Sequence, residues 1–184
     1  MTETEQLTRR MQQLQAERQR LEMQVSNLAR QCSASIRLRE ARTARELMAT
    51  VGEIIKDLIG SEAFAIFELD ADASALSLLG CMGVDPELLR RVPLEEGPLG
   101  RVVQQARRWV SETPPAEALA LSACIPLKLG TRVLGLIAIF RLLPHKACFE
   151  AADHVLFDML ETQGGMALHC VRCPTVKPPL AEGS

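Results

Sequence analysis

The residues best suited to chemistry in this chain are its six cysteines and three histidines. Near the C-terminus, His169-Cys170-Val171-Arg172-Cys173-Pro174 sets two thiols at metal-ligand spacing with an imidazole beside them. A structural zinc site takes four ligands, and no second pair at matching spacing occurs, so the run offers half a site. The expected arrangement is a helix end with Cys170 packed inward, Cys173 exposed and no metal. Cys81, Cys124 and Cys148, with His145, would suit haem, iron or a redox thiol if the fold gathered them at one end of a sheet. Taken singly, buried free cysteines behave as small apolar side chains. His154 falls in Ala151-Ala152-Asp153-His154-Val155, on a predicted helix next to acids, and reads as a solvated histidine. No nucleophile and base pairing, phosphate loop or carboxylate pair has useful spacing. The sequence therefore predicts a protein that is not an enzyme and carries no cofactor.

The elements that would position these residues are bounded by length and composition. A chain of 184 residues supports one core plus an extension. Hydrophobic residues at 47% and charged residues at 24% are ordinary for a globular protein, and no apolar run approaches the roughly 20 residues that span a bilayer. The first residues, Met1-Thr2-Glu3-Thr4-Glu5, lack the basic then apolar order of a secretory signal, so a cytoplasmic protein with reduced thiols is expected. The net charge of −2 gives no reason to expect nucleic acid or membrane insertion.

Leu7, Leu14, Leu21 and Leu28 recur every seventh residue, with Met11, Arg18, Val25 and Cys32 between them. This is the alternating four and three spacing of a coiled coil, and no Gly or Pro interrupts Met1 to Val51. A two-position seam leaves leucines in water unless a partner covers it, so these eight residues form the expected dimer interface. Arg18 favours two strands, because its stem can lie along the seam while the guanidinium escapes sideways. A parallel homodimer is the preferred arrangement. Glu3 and Glu5 stand where a DNA-binding zipper would carry its basic region, so Arg37, Arg39, Arg42 and Arg45 read as a solvated face. After Cys32 the phase is lost, and Ile36, Leu47, Val51, Ile54 and Leu58 define a different stripe.

From Leu47 to Ile59 the spacing is helical and ends at Gly60. Residues 63–69 and 75–82 read as a hairpin around Asp70-Ala71-Asp72. Residues 86–91 and 101–106 read as short helices, and Trp109-Val110 as a short strand before a turn over 111–115. Strands are predicted over 118–127 and 133–142, the second buried on both faces because Leu134 to Phe140 is apolar without alternation. A closing helix spans 151–170, and 174–184 is expected to be a disordered tail. The predicted organisation is a coiled-coil helix over 1–35, a helical connector over 36–46, a domain over 47–173 and the tail. The fold class is α+β, one antiparallel sheet between helices.

Gly97-Pro98-Leu99-Gly100-Arg101-Val102-Val103, Trp109-Val110, Ser122-Ala123-Cys124-Ile125-Pro126-Leu127 and Val133-Leu134-Gly135-Leu136-Ile137-Ala138-Ile139 resemble, in order, the hallmarks of a GAF domain. The resemblance covers roughly residues 42–171. It implies a small cytosolic sensory module of the kind that dimerises through its entering and leaving helices. Where ligand-binding relatives often carry a longer lid, this chain has a short proline-containing link between Val110 and Ala118, which implies a small or absent pocket. The signatures of cyclic-nucleotide and bilin binding are not matched. Two functions are compatible with this reading. One is a dimeric regulatory or scaffold protein of bacterial-type signalling that acts on another signalling protein; the other is a small-molecule, metal or redox sensor relaying through its coiled coil. The scaffold is preferred, given the short link.

Overall fold

The computed structural model describes residues 3–94, 97–111, 120–144, 146 and 148–173. The expected tail over 174–184, most of the turn over 111–115 and His145 lie outside the described residues. The chain divides into two compact units, Met1–Ile36 and Arg37–Ser184.

Helix α1 runs over Glu3–Glu40, built from Glu, Gln, Arg, Leu and Met, which lose little side-chain freedom in a helix. The uninterrupted propensity through Val51 predicts a helical connector, yet the helix stops at Glu40 and restarts as α2, Ala44–Glu53. The cause is a capping box. Thr43 Oγ1 accepts from the Glu46 amide at 3.2 Å, and the Glu46 carboxylate accepts from the Thr43 amide at 3.2 Å and the Arg42 amide at 2.8 Å. The Arg42 guanidinium donates to the carbonyls of Arg39 and Ala41, satisfying the end of α1. This break resets the phase, so Ile36 does not join the stripe of Leu47, Val51 and Ile54. Ile36 is 48% exposed in the first unit, while Leu38 and Ala41 are buried in the second.

Helix α2 continues as a π-helical turn, Ile54–Ile59, and ends at Gly60 in the left-handed region (φ 82°), where a side chain would be strained. Among the described residues six antiparallel strands follow: β1 Ser61–Leu69, β2 Ala75–Met82, β3 Arg91–Pro93, β4 Trp109–Val110, β5 Ala123–Leu129 and β6 Arg132–Leu142. Their spatial order is β3-β2-β1-β6-β5-β4. The expected strand over 118–127 begins later, at Ala123, and runs to Leu129, leaving Gly130-Thr131 as a two-residue hairpin turn. Residues 86–91, predicted as a helix, form one 3-10 turn over Pro86–Leu88 and then strand β3. The switch comes from pairing: Arg91, Val92 and Pro93 register with Ser77, Leu76 and Ala75 of β2.

Central β6 is buried without a break from Val133 to Phe140, as its unalternating apolar run requires. Ile66, Ile137 and Ile125 form one cross-strand row, and Phe64 lies against α2 at Gly52. Against this face pack α2, its π turn, and the closing helix, which is α4 Ala151–Met159, a π turn Leu160–Gly164 and α5 Gly165–Arg172. Helix α3, Pro98–Gln105, covers part of the opposite face, where Val102 is buried. The result is an antiparallel sheet between helices.

Candidate functional site

Two features gather the candidate residues of the sequence, one an exposed seam and the other a buried sheet face. The first is the seam of α1. Leu7, Met11, Leu14, Leu21, Val25 and Leu28 are each 54–69% exposed, on a helix whose remaining surface is mostly polar, with Met23 (64% exposed) and Ile36 (48%) as the large apolar residues off the seam. Covering one such side chain is worth about 1.5–3 kcal/mol, so six in a line about 32 Å long make a strongly adhesive stripe. Arg18, within that line, directs its guanidinium to Glu22 one turn on, at 3.4 Å. Its charge is therefore carried to the side of the seam, with the aliphatic stem left on it. Cys32 ends the line and is exposed.

The second is the buried sheet face on the side away from α2 and the closing helix. Alternation along each strand places Ala63, Ala65, Phe67, Leu76, Cys124, Leu136, Ala138 and Phe140 there, with Val102 of α3 over them. The registers Cys81 with Ala65, Ala65 with Ala138, Ala138 with Cys124 and Cys124 with Trp109 define one row across five strands. Two thiols and an indole thus share a row whose middle positions are alanines. Three strand spacings of about 4.8 Å separate Cys81 from Cys124, far beyond disulfide reach.

Burial pushes the Cys124 thiol far above its usual range, and it pushes the Cys81 thiol up as well, with Asp85 adding to the shift. Cys81 also donates to the Val84 carbonyl at 3.5 Å. Both sulfurs are thereby held as thiols, and the thiolate that nucleophilic or metal-binding chemistry needs is suppressed.

The other candidates are dispersed. Cys148 is exposed in the segment before α4, Cys170 is half-buried on α5, and Cys173 is exposed at its end. Among the described residues no group of three or more His, Cys, Asp or Glu side chains is placed to hold a metal ion. His154 is half-buried rather than fully solvated, with its ring edge-on to Phe157 at 5.5 Å. Among the described residues no helix is long and apolar enough to cross a membrane.

Sequence reasoning missed a group of charges near one end of β5, Arg108, Lys128 and Glu161. Each stands alone in its own segment, 20 or more residues from the next, and no local pattern marks them as partners.

A family model described as the GAF domain matches residues 41–169. A search of curated proteins gives no significant match. Among solved structures, the fold is similar to residues 122 to 287 of a methyl-accepting chemotaxis protein (15% identity, 78% of this chain and 99% of that one, TM-score 0.62). It is also similar to the GAF domain of an Acinetobacter phosphoenolpyruvate-protein phosphotransferase (18% identity, 80% and 95%, TM-score 0.60). A third similar structure is the free methionine-R-sulfoxide reductase of Neisseria meningitidis in complex with its substrate (17% identity, 77% and 87%, TM-score 0.61). At these identities the likeness is one of fold.

Proposed function

The chain belongs to the GAF domain family of sensory and regulatory signalling modules, and from that premise we propose that it is a non-enzymatic, cytoplasmic, dimeric regulator acting on another signalling protein. The observation that carries the dimer is the line of six exposed apolar side chains on α1 with Arg18 turned aside at Glu22. A second copy supplies the matching stripe at no further cost in specificity, since a two-fold pair presents the same surface twice. The eight seam residues Leu7, Met11, Leu14, Arg18, Leu21, Val25, Leu28 and Cys32 are its interface, with the helices parallel. The protonated state of the Cys81 and Cys124 thiols supports a role without nucleophilic catalysis.

Light scattering of the full chain beside Leu14→Asn/Leu21→Asn tests this reading. The parent has twice the mass of the variant at micromolar concentration; a monomeric parent overturns it. A second reading is a sensor of a small molecule, a metal or a redox signal that relays through its coiled coil. Native mass spectrometry separates the two, because a stoichiometric bound molecule or metal selects the sensor.

A further inference from the structure

Strand β4 registers with β5 through Trp109 and Val110, opposite Cys124 and Ala123, and the Ser111 amide donates to the Ser122 carbonyl at the end away from Lys128. Toward Lys128, then, β4 does not accompany β5. At that end β5 carries an irregularity of register between Leu127 and Lys128, and facing it the closing helix carries its own irregularity, the π turn Leu160–Gly164. Paired defects of this kind re-aim side chains, and both types recur at functional positions.

What they aim is charge. Lys128 Nζ lies 2.6 Å from Glu161 Oε2, and Arg108 Nη1 lies 3.2 Å from Glu161 Oε1, so one carboxylate, 11% exposed, bridges two cations. Arg108 Nη1 also meets Asp158 Oδ1 at 2.5 Å, and its guanidinium stands over the Phe157 ring at 6.0 Å. Lys128 Nζ reaches the other way as well, to the Ala106 carbonyl at 3.4 Å. Ala106 ends α3 in the left-handed region (φ 51°), a conformation that a non-glycine residue keeps only when its surroundings hold it. The bonds close a ring: Ala106 carbonyl to Lys128, Lys128 to Glu161, Glu161 to Arg108, and Arg108 back to Ala106 through the chain.

The two sides of this ring belong to opposite faces of the sheet. Ala106 ends the helix that covers the apolar face with its two thiols, whereas Glu161 and Asp158 belong to the helix on the other face. We infer that the Lys128, Glu161 and Arg108 cluster is a coupling joint that makes α3 and the closing helix respond together, so that a displacement of α3 is felt at α5. The inference concerns the GAF domain alone and is independent of how α1 pairs.

Amide hydrogen exchange of the full chain tests it. Val102→Ala loosens α3 from its own face, and exchange in β1 reports global opening and serves as the reference. The expected result is that Val102→Ala raises exchange in α3 about tenfold and in residues 160–172 about threefold or more beyond the rise in β1. In a Glu161→Gln background the α3 effect persists and the effect on 160–172 vanishes. Should Glu161→Gln fail to fold, Lys128→Met breaks the same bond while keeping the buried stem and should give the same loss. A Val102→Ala effect confined to α3, or one that reaches 160–172 equally without the Glu161 charge, overturns the inference.

Discussion

Gly165, the first residue of α5, stands against the backbone of Lys128 so closely that a β-carbon there would lie 2.1 Å from the Lys128 carbonyl oxygen and 2.4 Å from its amide nitrogen. Its neighbour Gly164 meets a side chain instead, at 2.9 Å from Leu127 Cδ2. The π turn delivers these two residues to the sheet, and their missing side chains let the helix settle onto β5.

Gly165→Ala is therefore expected to destabilise the domain despite the better helix propensity of alanine. Backbone atoms cannot rotate away, so the cost is at the upper end of the roughly 1–3 kcal/mol of overpacking. Gly52→Ala should do the opposite. A β-carbon at Gly52 meets only the Phe64 ring, at 3.4 Å, and alanine in a helix gains about 0.5–1 kcal/mol. Thermal melts of the two variants should move in opposite directions, by roughly 2–4 °C per kcal/mol.

Ile137 is fully buried between Ile66 and Ile125 in the central strand. Ile137→Asp places an unpaired carboxylate in that row at a cost of several kcal/mol, comparable to the whole stability of a domain. Circular dichroism should show a variant without a cooperative thermal transition. A normal melt would mean that this row is not the core.

Cys124 ties stability to alkaline pH. Its thiol is held protonated in the folded domain by burial, whereas in the unfolded chain it ionises near its ordinary value of 9.0. Above that pH the unfolded state binds fewer protons than the folded one, so stability is complete below it and falls as pH rises. The slope from this one group is about 1.4 kcal/mol per pH unit. Urea midpoints measured from pH 8 to 10.5 should fall more steeply for the parent than for Cys124→Ala, with the two differing by a constant at lower pH. Parallel curves would remove Cys124 as the cause.

The parallel pairing proposed for the helices has a chemical readout at Cys32. In an in-register parallel pair the two Cys32 side chains face each other across the seam and link on mild oxidation. In an antiparallel pair centred near Arg18 they lie about 40 Å apart, beyond any disulfide. The variant to oxidise replaces Cys81, Cys148, Cys170 and Cys173 by serine and leaves the buried Cys124 in place. A covalent dimer on a non-reducing gel is expected. A protein that is dimeric by light scattering and yet never links would overturn the parallel register.

The hairpin of β1 and β2, the central strand β6 and the long helix α1 were legible in the sequence because each is decided locally. Short apolar stretches, an Asp-rich turn and heptad spacing are carried by neighbours along the chain. The Thr43 to Glu46 capping box was also written there, but helix propensity runs unbroken across it and hides the stop. Only the backbone donors at Arg42 and Thr43, turned to the Glu46 carboxylate, reveal that the helix restarts.

What the tertiary structure alone decided depends on partners distant in sequence. Arg91-Val92-Pro93 has no strand pattern of its own and becomes β3 by pairing with β2. Both π turns look like ordinary helix in composition, and the one at Leu160–Gly164 is read from the approach of Gly164 and Gly165 to β5. Cys81 and Cys124 enter one row through the register of four strands, and Lys128 meets Glu161 because a strand defect and a helix defect face each other. Local sequence sets what each segment can form at a cost of tenths to one kcal/mol per residue, while burial and long-range pairing, worth several times more, choose among those forms.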